Sequence, residues 1–209
     1  MNFGTYGFRW AGKIQRDKGG SAWDYGVEMA RQSGSLGSDS IGAWAGHWVV
    51  GRTFAAQLHP RVSLEYNFAS GDHNSKDGKH GTFDQLYPSA HDKYGLADQV
   101  GWKNIRDARA GLELKPWRKF TLVGRYNAWW LADSHDALYT ATSSVVARVT
   151  AGNAGRFVGQ ELDSVAVYTL SPSLQFGGGF GHIFPGTFLN HATPGNSYNF
   201  PYASTTLTF

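Results

Sequence analysis

The chain of 209 residues, long enough for one domain with a sizeable interior, carries a formal net charge of +3, 8 Trp, 10 Tyr, 13 Phe, 27 Gly and no Cys. The lack of cysteine excludes disulfides, thiolate metal sites and a thiol nucleophile. A mean hydropathy of −0.37, with no run approaching roughly 18 apolar residues, excludes a membrane-spanning helix. Lys and Arg are scattered, so no nucleic-acid partner is expected, and residues 1–20 lack the basic start and apolar stretch of a signal peptide.

In chain order, alternation with a period of two predicts nine strands, at about 3–14, 21–33, 40–54, 60–69, 100–115, 118–131, 157–170, 173–184 and 197–209. In the fourth, Val62, Leu64, Tyr66 and Phe68 share one face and Ser63, Glu65 and Asn67 the other. Phe120, Leu122, Tyr126, Ala128 and Trp130 oppose Thr121, Arg125 and Asn127, and Leu162, Ala166, Tyr168 and Leu170 oppose Glu161 and Asp163. Most stretches exceed the about 5–6 residues of an ordinary strand and match the roughly 9–11 of one that crosses a bilayer. "QRDKGG", "AQLHP", "KPWRK" and "LSPS" read as tight turns, while residues 70–99, 132–156 and 185–196 form long loops, with "SGSLGSD" the short exception.

Tight turns at one end and long loops at the other are the pattern of a transmembrane barrel. Trp10, Trp23, Phe54, Phe120 and Tyr168 lie toward the tight-turn ends, and Trp44, Phe68, Trp102 and Trp130 toward the long-loop ends, as two aromatic girdles. The expected fold is therefore all-β: an antiparallel transmembrane β-barrel of outer-membrane type, 1–209 being a single domain in contact with outer-membrane lipid. The alternative, a soluble β-sandwich, has shorter strands and a solvated second face. The final strand, with Leu207 and Phe209 outward, resembles the C-terminal signal read by the barrel assembly machinery. Nine strands are an odd number, whereas bacterial barrels use even ones, so the chain is expected to be the C-terminal part of a larger, monomeric barrel of about 16–18 strands.

The face opposite the apolar one carries Arg9, Glu28, Gln32, His47, Glu65, Asn67, Asp107, Arg109, Arg125, Asn127, Glu161 and Asp163. Charges there cost about 2–4 kcal/mol if turned to lipid at mid-bilayer, so they are expected to line a lumen. Arginine suits a carboxylate-bearing solute because its planar fork pairs bidentately and stays charged. Arg9, Arg109 and Arg125 are the candidate substrate contacts. The structural alternative pairs them with Glu65, Asp107, Glu161 or Asp163 on neighbouring strands. Acids outnumber arginines on this face, so a polyanion route needs positive charge from missing strands or inward loops.

Residues 70–99 contain His73, His80 and His91 with Asp72, Asp77, Asp84 and Asp92, but "DHNSKDG" does not follow a Ca²⁺ loop, since Lys76 occupies a ligand position and Gly78 comes one place late. No metal and no cofactor is expected. Phe83, Leu86, Tyr87, Tyr94 and Leu96 suit a loop folded into the barrel as a constriction or lid. Ser134, His135 and Asp136 are adjacent, and neighbours in sequence seldom converge as nucleophile, base and orienter, so no catalysis is expected. The glycines of "GGGFG" at 177–181 permit a bend or a close approach.

The blocks "YNFASGDHNSKDGKHGTFDQLYPSAHDKYGLADQVGWKNIRD", "NAWWLADSHDALY", "GQELDSVAVYTLS" and "GHIFPGTFL" together resemble the alginate export family of outer-membrane barrels, across nearly the whole chain. The resemblance implies passage of a polyuronate, an acidic polysaccharide, through an arginine-lined constriction. A general diffusion porin, or a plugged barrel acting as a surface binding protein, is the alternative.

Overall fold

A computed structural model describes residues 2–14, 20–88, 91 and 93–209. Its strands are β1 (Asn2–Ile14), β2 (Ala22–Leu36), β3 (Asp39–Thr53), β4 (Arg61–Ala69), β5 (Lys79–His80), β6 (Ile105–Trp117), β7 (Phe120–Leu131), β8 (Ala137–Tyr139), β9 (Val145–Arg148), β10 (Phe157–Ser171), β11 (Leu174–Pro185) and β12 (Tyr198–Leu207), with one short helix, α1 (Thr187–Ala192). The nine long strands form a meander in the order β1-β2-β3-β4-β6-β7-β10-β11-β12, each antiparallel to its neighbours, with β5 added beside β3 and β8-β9 as a separate ribbon. The sheet is open: among the described residues β1 and β12 are its edges, and no closed barrel forms.

Each expected strand is present, with shifted ends. β6 begins at Ile105 rather than near 100, because Gly101 and Asn104 donate their backbone N–H groups to Tyr139 and Ser70 in the loops. It then runs on through Pro116 to Trp117, leaving a turn of Arg118 and Lys119 alone; the register slips between Leu114 and Trp117, where proline's missing N–H is tolerated. The expected turn "QRDKGG" lies mainly outside the described residues. The loop at 185–196 contains α1, anchored by the fully buried Phe188.

The outer face is mainly apolar, with Arg31 and Arg106 exposed on it toward the long-loop end. Leu64, 61 % exposed, sits between Val62 and Tyr66 of the same strand and near Leu112, Tyr126 and Leu162 of the following strands, all exposed. Trp10, Trp23, Trp44 and Tyr168 are exposed on the same face, and Trp44 stacks on Phe68 at 4.2 Å between ring centroids. Trp102 departs from the expected girdle: it lies in the loop before β6, against Phe83 and Tyr94. The core sits on the other side of the sheet, where Phe83, Tyr94 and Val100 of the loop between β4 and β6 pack with Ile105, Trp129, Leu131, Leu138, Val158 and Phe188. The long loop is thus folded onto the inner face. Two residues expected to pack there do not: Leu86 and Tyr87 are exposed, Tyr87 by 94 %.

Candidate functional site

Strand register places the inner-face residues in rows across the sheet. One row runs Arg9, Glu28, His47, Asn67, Asp107; the next Glu65, Arg109, Asn127, Glu161; a third Gly111, Arg125, Asp163, Gly181. All ten expected pore-lining residues therefore share one face. They are not equivalent, because the loop divides them.

Toward the long-loop end the loop covers the acids and amides. Glu161 Oε1 accepts the backbone N–H groups of Leu96 at 2.7 Å and Ala97 at 3.0 Å. Gln32 holds Asp84 at both ends, accepting its N–H at 2.8 Å and donating to its carbonyl at 2.7 Å. Asn67 donates to Glu65 and to Asp107, each at 2.9 Å, and Asn127 donates to Asp163 at 3.2 Å. Two glycines let the loop come this close. Gly95 has φ +104° and a Cβ there would meet the Glu161 carboxylate; at Gly181 a Cβ would lie 2.9 Å from both Glu161 and Asp163 oxygens. Tyr94, buried in the same layer, has its phenol pushed well above the ordinary value by burial and by the nearby charges of Asp107 and Glu65.

Toward the tight-turn end the inner face stays open. A cavity of about 310 Å³ is lined by Arg9, Arg61, Lys93, Arg109 and Arg125, with His47 and the carboxylates Glu65 and Glu113. The cross-strand pairing alternative holds in part: Arg109 lies 3.5 Å from Glu65 and Arg9 3.9 Å from Glu28. Arg109 also donates to the Lys93 carbonyl at 3.1 Å, joining this cavity to the loop. Sequence reasoning missed Arg61 and Lys93. Arg61 stands at the mouth of β4, held bidentately by Asp24 at 2.9 and 2.6 Å, and could have been found from its position beside Ser63 and Glu65 on the polar face. Lys93 belongs to the loop, and nothing local marks it.

Ser134, His135 and Asp136 do not assemble as a triad. His135 turns to Asp133, and Asp136 is engaged by Thr82, Tyr139, Arg148 and the Asp72 backbone; no hydrogen bond joins Ser134 to His135 among the described residues. Glycines 179 and 181 face inward opposite Tyr202 and Phe200, whose rings stack near His91. A Cβ at Gly179 would run into the Tyr202 ring, which accounts for small residues there.

A long-stranded antiparallel meander with one mainly apolar exposed face and one charged face, folded under its own loop, is an all-β architecture consistent with the wall of a β-barrel. The family model described as alginate export matches residues 2–203, and the chain belongs to the alginate export family. No curated protein gives a match to the chain.

Proposed function

We propose that the chain forms part of the wall of an outer-membrane channel that passes an acidic polysaccharide of the polyuronate type, with no catalytic role. The observation that carries this reading is the cavity bordered by Arg9, Arg61, Lys93, Arg109 and Arg125. Five cations border the cavity with two lining carboxylates, Glu65 and Glu113, while Arg61 and Arg9 pair with Asp24 and Glu28 and Arg125 stands opposite Asp163 on the neighbouring strand. The acids that outnumber arginine in the sequence are mostly spent on holding the loop or lie beneath it. Bidentate guanidinium groups at successive register positions match carboxylates repeated along a sugar chain.

The outer face supports a lipid contact, since an exposed apolar surface of this extent on a soluble monomer would invite association. Hydrocarbon does not tolerate the unpaired backbone groups of β1 and β12, so this reading requires that both edges be joined to further strands, inserted with the barrel assembly machinery. A second reading, a plugged barrel that binds a partner at the surface, is favoured by the loop docked on Glu161 and Gln32.

Conductance in planar bilayers of the complete barrel, this sheet joined to its further strands, separates the two. The channel reading predicts current that oligouronates block, with the block weakened about tenfold in Arg109→Ala or Arg125→Ala, the worth of one charge-assisted hydrogen bond pair. Block unchanged in both variants would refute the arginine contacts, and the absence of current would favour the plugged barrel.

A further inference from the structure

Away from the cationic cavity, three residues from two loops converge at the long-loop end of the sheet. His73 follows β4, and Asp133 and His135 follow β7. His73 Nδ1 lies 3.0 Å from Asp133 Oδ2 and His135 Nδ1 lies 3.1 Å from Asp133 Oδ1, while the two imidazole rings meet edge to face with centroids 4.3 Å apart. One donor atom from each of the three lies within 4.8 Å of the others.

A pair of ordinary histidine–aspartate hydrogen bonds would account for the distances alone. It does not account for the way the group is seated. Asp133 is fixed from behind by Asn104, which accepts its N–H at 2.7 Å and donates to its carbonyl at 3.0 Å and to that of Ala137 at 2.9 Å. Asn104 is 0 % exposed and holds a left-handed φ of +49°. A Cβ on Gly71 would run into the Asn104 oxygen, and a Cβ on Gly152, at φ +70°, would lie 2.6 Å from His135 Nε2. The backbone has therefore been cleared around both Asn104 and the His135 ring. His73 alone is free to adjust, its side chain being 71 % exposed. Beside the group lies a cavity of about 480 Å³, bordered by His73, His135, Asp72, His80 and Thr82, with room for solvent or added ligands.

Two imidazoles and one carboxylate are the donor set of borderline divalent transition metals, and Ca²⁺ and Mg²⁺ prefer oxygen alone. We propose that His73, Asp133 and His135 form a binding site for a divalent transition cation of the zinc class, which ties the inward-folded loop to the loop after β7. With bonds of about 2.0–2.1 Å, tetrahedral donors stand about 3.4 Å apart, so the widest pair closes by at most about 1.4 Å, a movement within reach of the exposed His73. The cation would fasten the loop near its start, 11 residues before it meets Gln32 through the Asp84 backbone, and independently of whether the channel conducts.

The test uses the full, tag-free chain folded in detergent, with Co²⁺ as the spectroscopic probe and Zn²⁺ and Ca²⁺ as competitors. The proposal expects visible ligand-field bands from a single bound Co²⁺, displacement by Zn²⁺ but not by equal Ca²⁺, and at least about a tenfold loss of affinity in His73→Ala and in His135→Ala. His80→Ala, outside the donor set, is expected to bind as the parent does. If His135→Ala fails to fold, the exposed His73→Ala carries the test alone. Binding unchanged in His73→Ala, equal displacement by Ca²⁺, or no Co²⁺ bands from the folded parent would each overturn the assignment.

Discussion

Glu161 is the residue through which β10 holds the long loop on the inner face, and replacing it by alanine should release that hold. Its side chain is 0 % exposed, and its Oε1 takes both the Leu96 and the Ala97 N–H groups, which are themselves buried. Alanine leaves two buried donors without an acceptor, at a cost of about 1–3 kcal/mol each, or about 2–6 kcal/mol against the docked loop. Water entering the space left by the carboxylate brings the loss toward the lower figure, which still corresponds to roughly a 30-fold change in the opening equilibrium. Glu161→Gln keeps an acceptor oxygen in place, so its loss is about 1 kcal/mol. Hydrogen exchange, followed by mass spectrometry on peptides covering residues 93–100, reads this opening directly. Exchange at Leu96 and Ala97 should quicken roughly 30-fold or more in the alanine variant and less than about 10-fold in the glutamine variant. Unchanged exchange in Glu161→Ala, in protein that still migrates as folded on an unheated gel, would show that the loop is held by other contacts and refute the reasoning.

Two further outcomes are expected. Leu64→Arg on the outer face should lower the unfolding free energy in bilayers by about 2–4 kcal/mol, whereas Ser63→Arg, one residue away on the inner face, should cost far less; equal losses in denaturant titrations would contradict the assignment of faces. Because burial and the charges of Asp107 and Glu65 raise the Tyr94 phenol, with Arg109 opposing, the neutral form favours the docked loop. That contribution is fully present below the ordinary tyrosine value of about 10 and is lost as pH rises through the raised one. The loop should therefore stay protected from exchange through about pH 10 and open above it, and Tyr94→Phe should remove this alkaline step. A step that persists in Tyr94→Phe belongs to another group.

Much of the sheet is legible in the sequence because alternation is a local property. Val62, Leu64 and Tyr66 announce one face and Ser63, Glu65 and Asn67 the other before any neighbour is known, and the expected strands lie within a few residues of those observed. The inner-face residues could be collected in the same way. What a strand pattern does not carry is the depth at which each residue lies. Arg109 borders the open cavity while Asp107, two residues earlier on the same face, is sealed under the loop, and the difference is made by Lys93, Tyr94 and Leu96 from a distant segment. Trp102 is misplaced for the same reason: its apolar surroundings imitate a strand, yet they come from Phe83 and Tyr94 in the loop. The grouping of His73 with Asp133 and His135 depends on two loops meeting about 60 residues apart in the chain, which spacing rules cannot register.

The central claim is that this sheet is a membrane wall, with lipid on one face and water on the other. The chain contains no cysteine, so single cysteines report cleanly. In proteoliposomes, Ser63→Cys and Gly111→Cys on the inner face should react with a water-soluble maleimide. Leu64→Cys, Tyr126→Cys and Leu162→Cys should resist it, and labels attached there before reconstitution should be quenched by brominated lipid. Equal reactivity of both sets, with no quenching by lipid, would contradict the account.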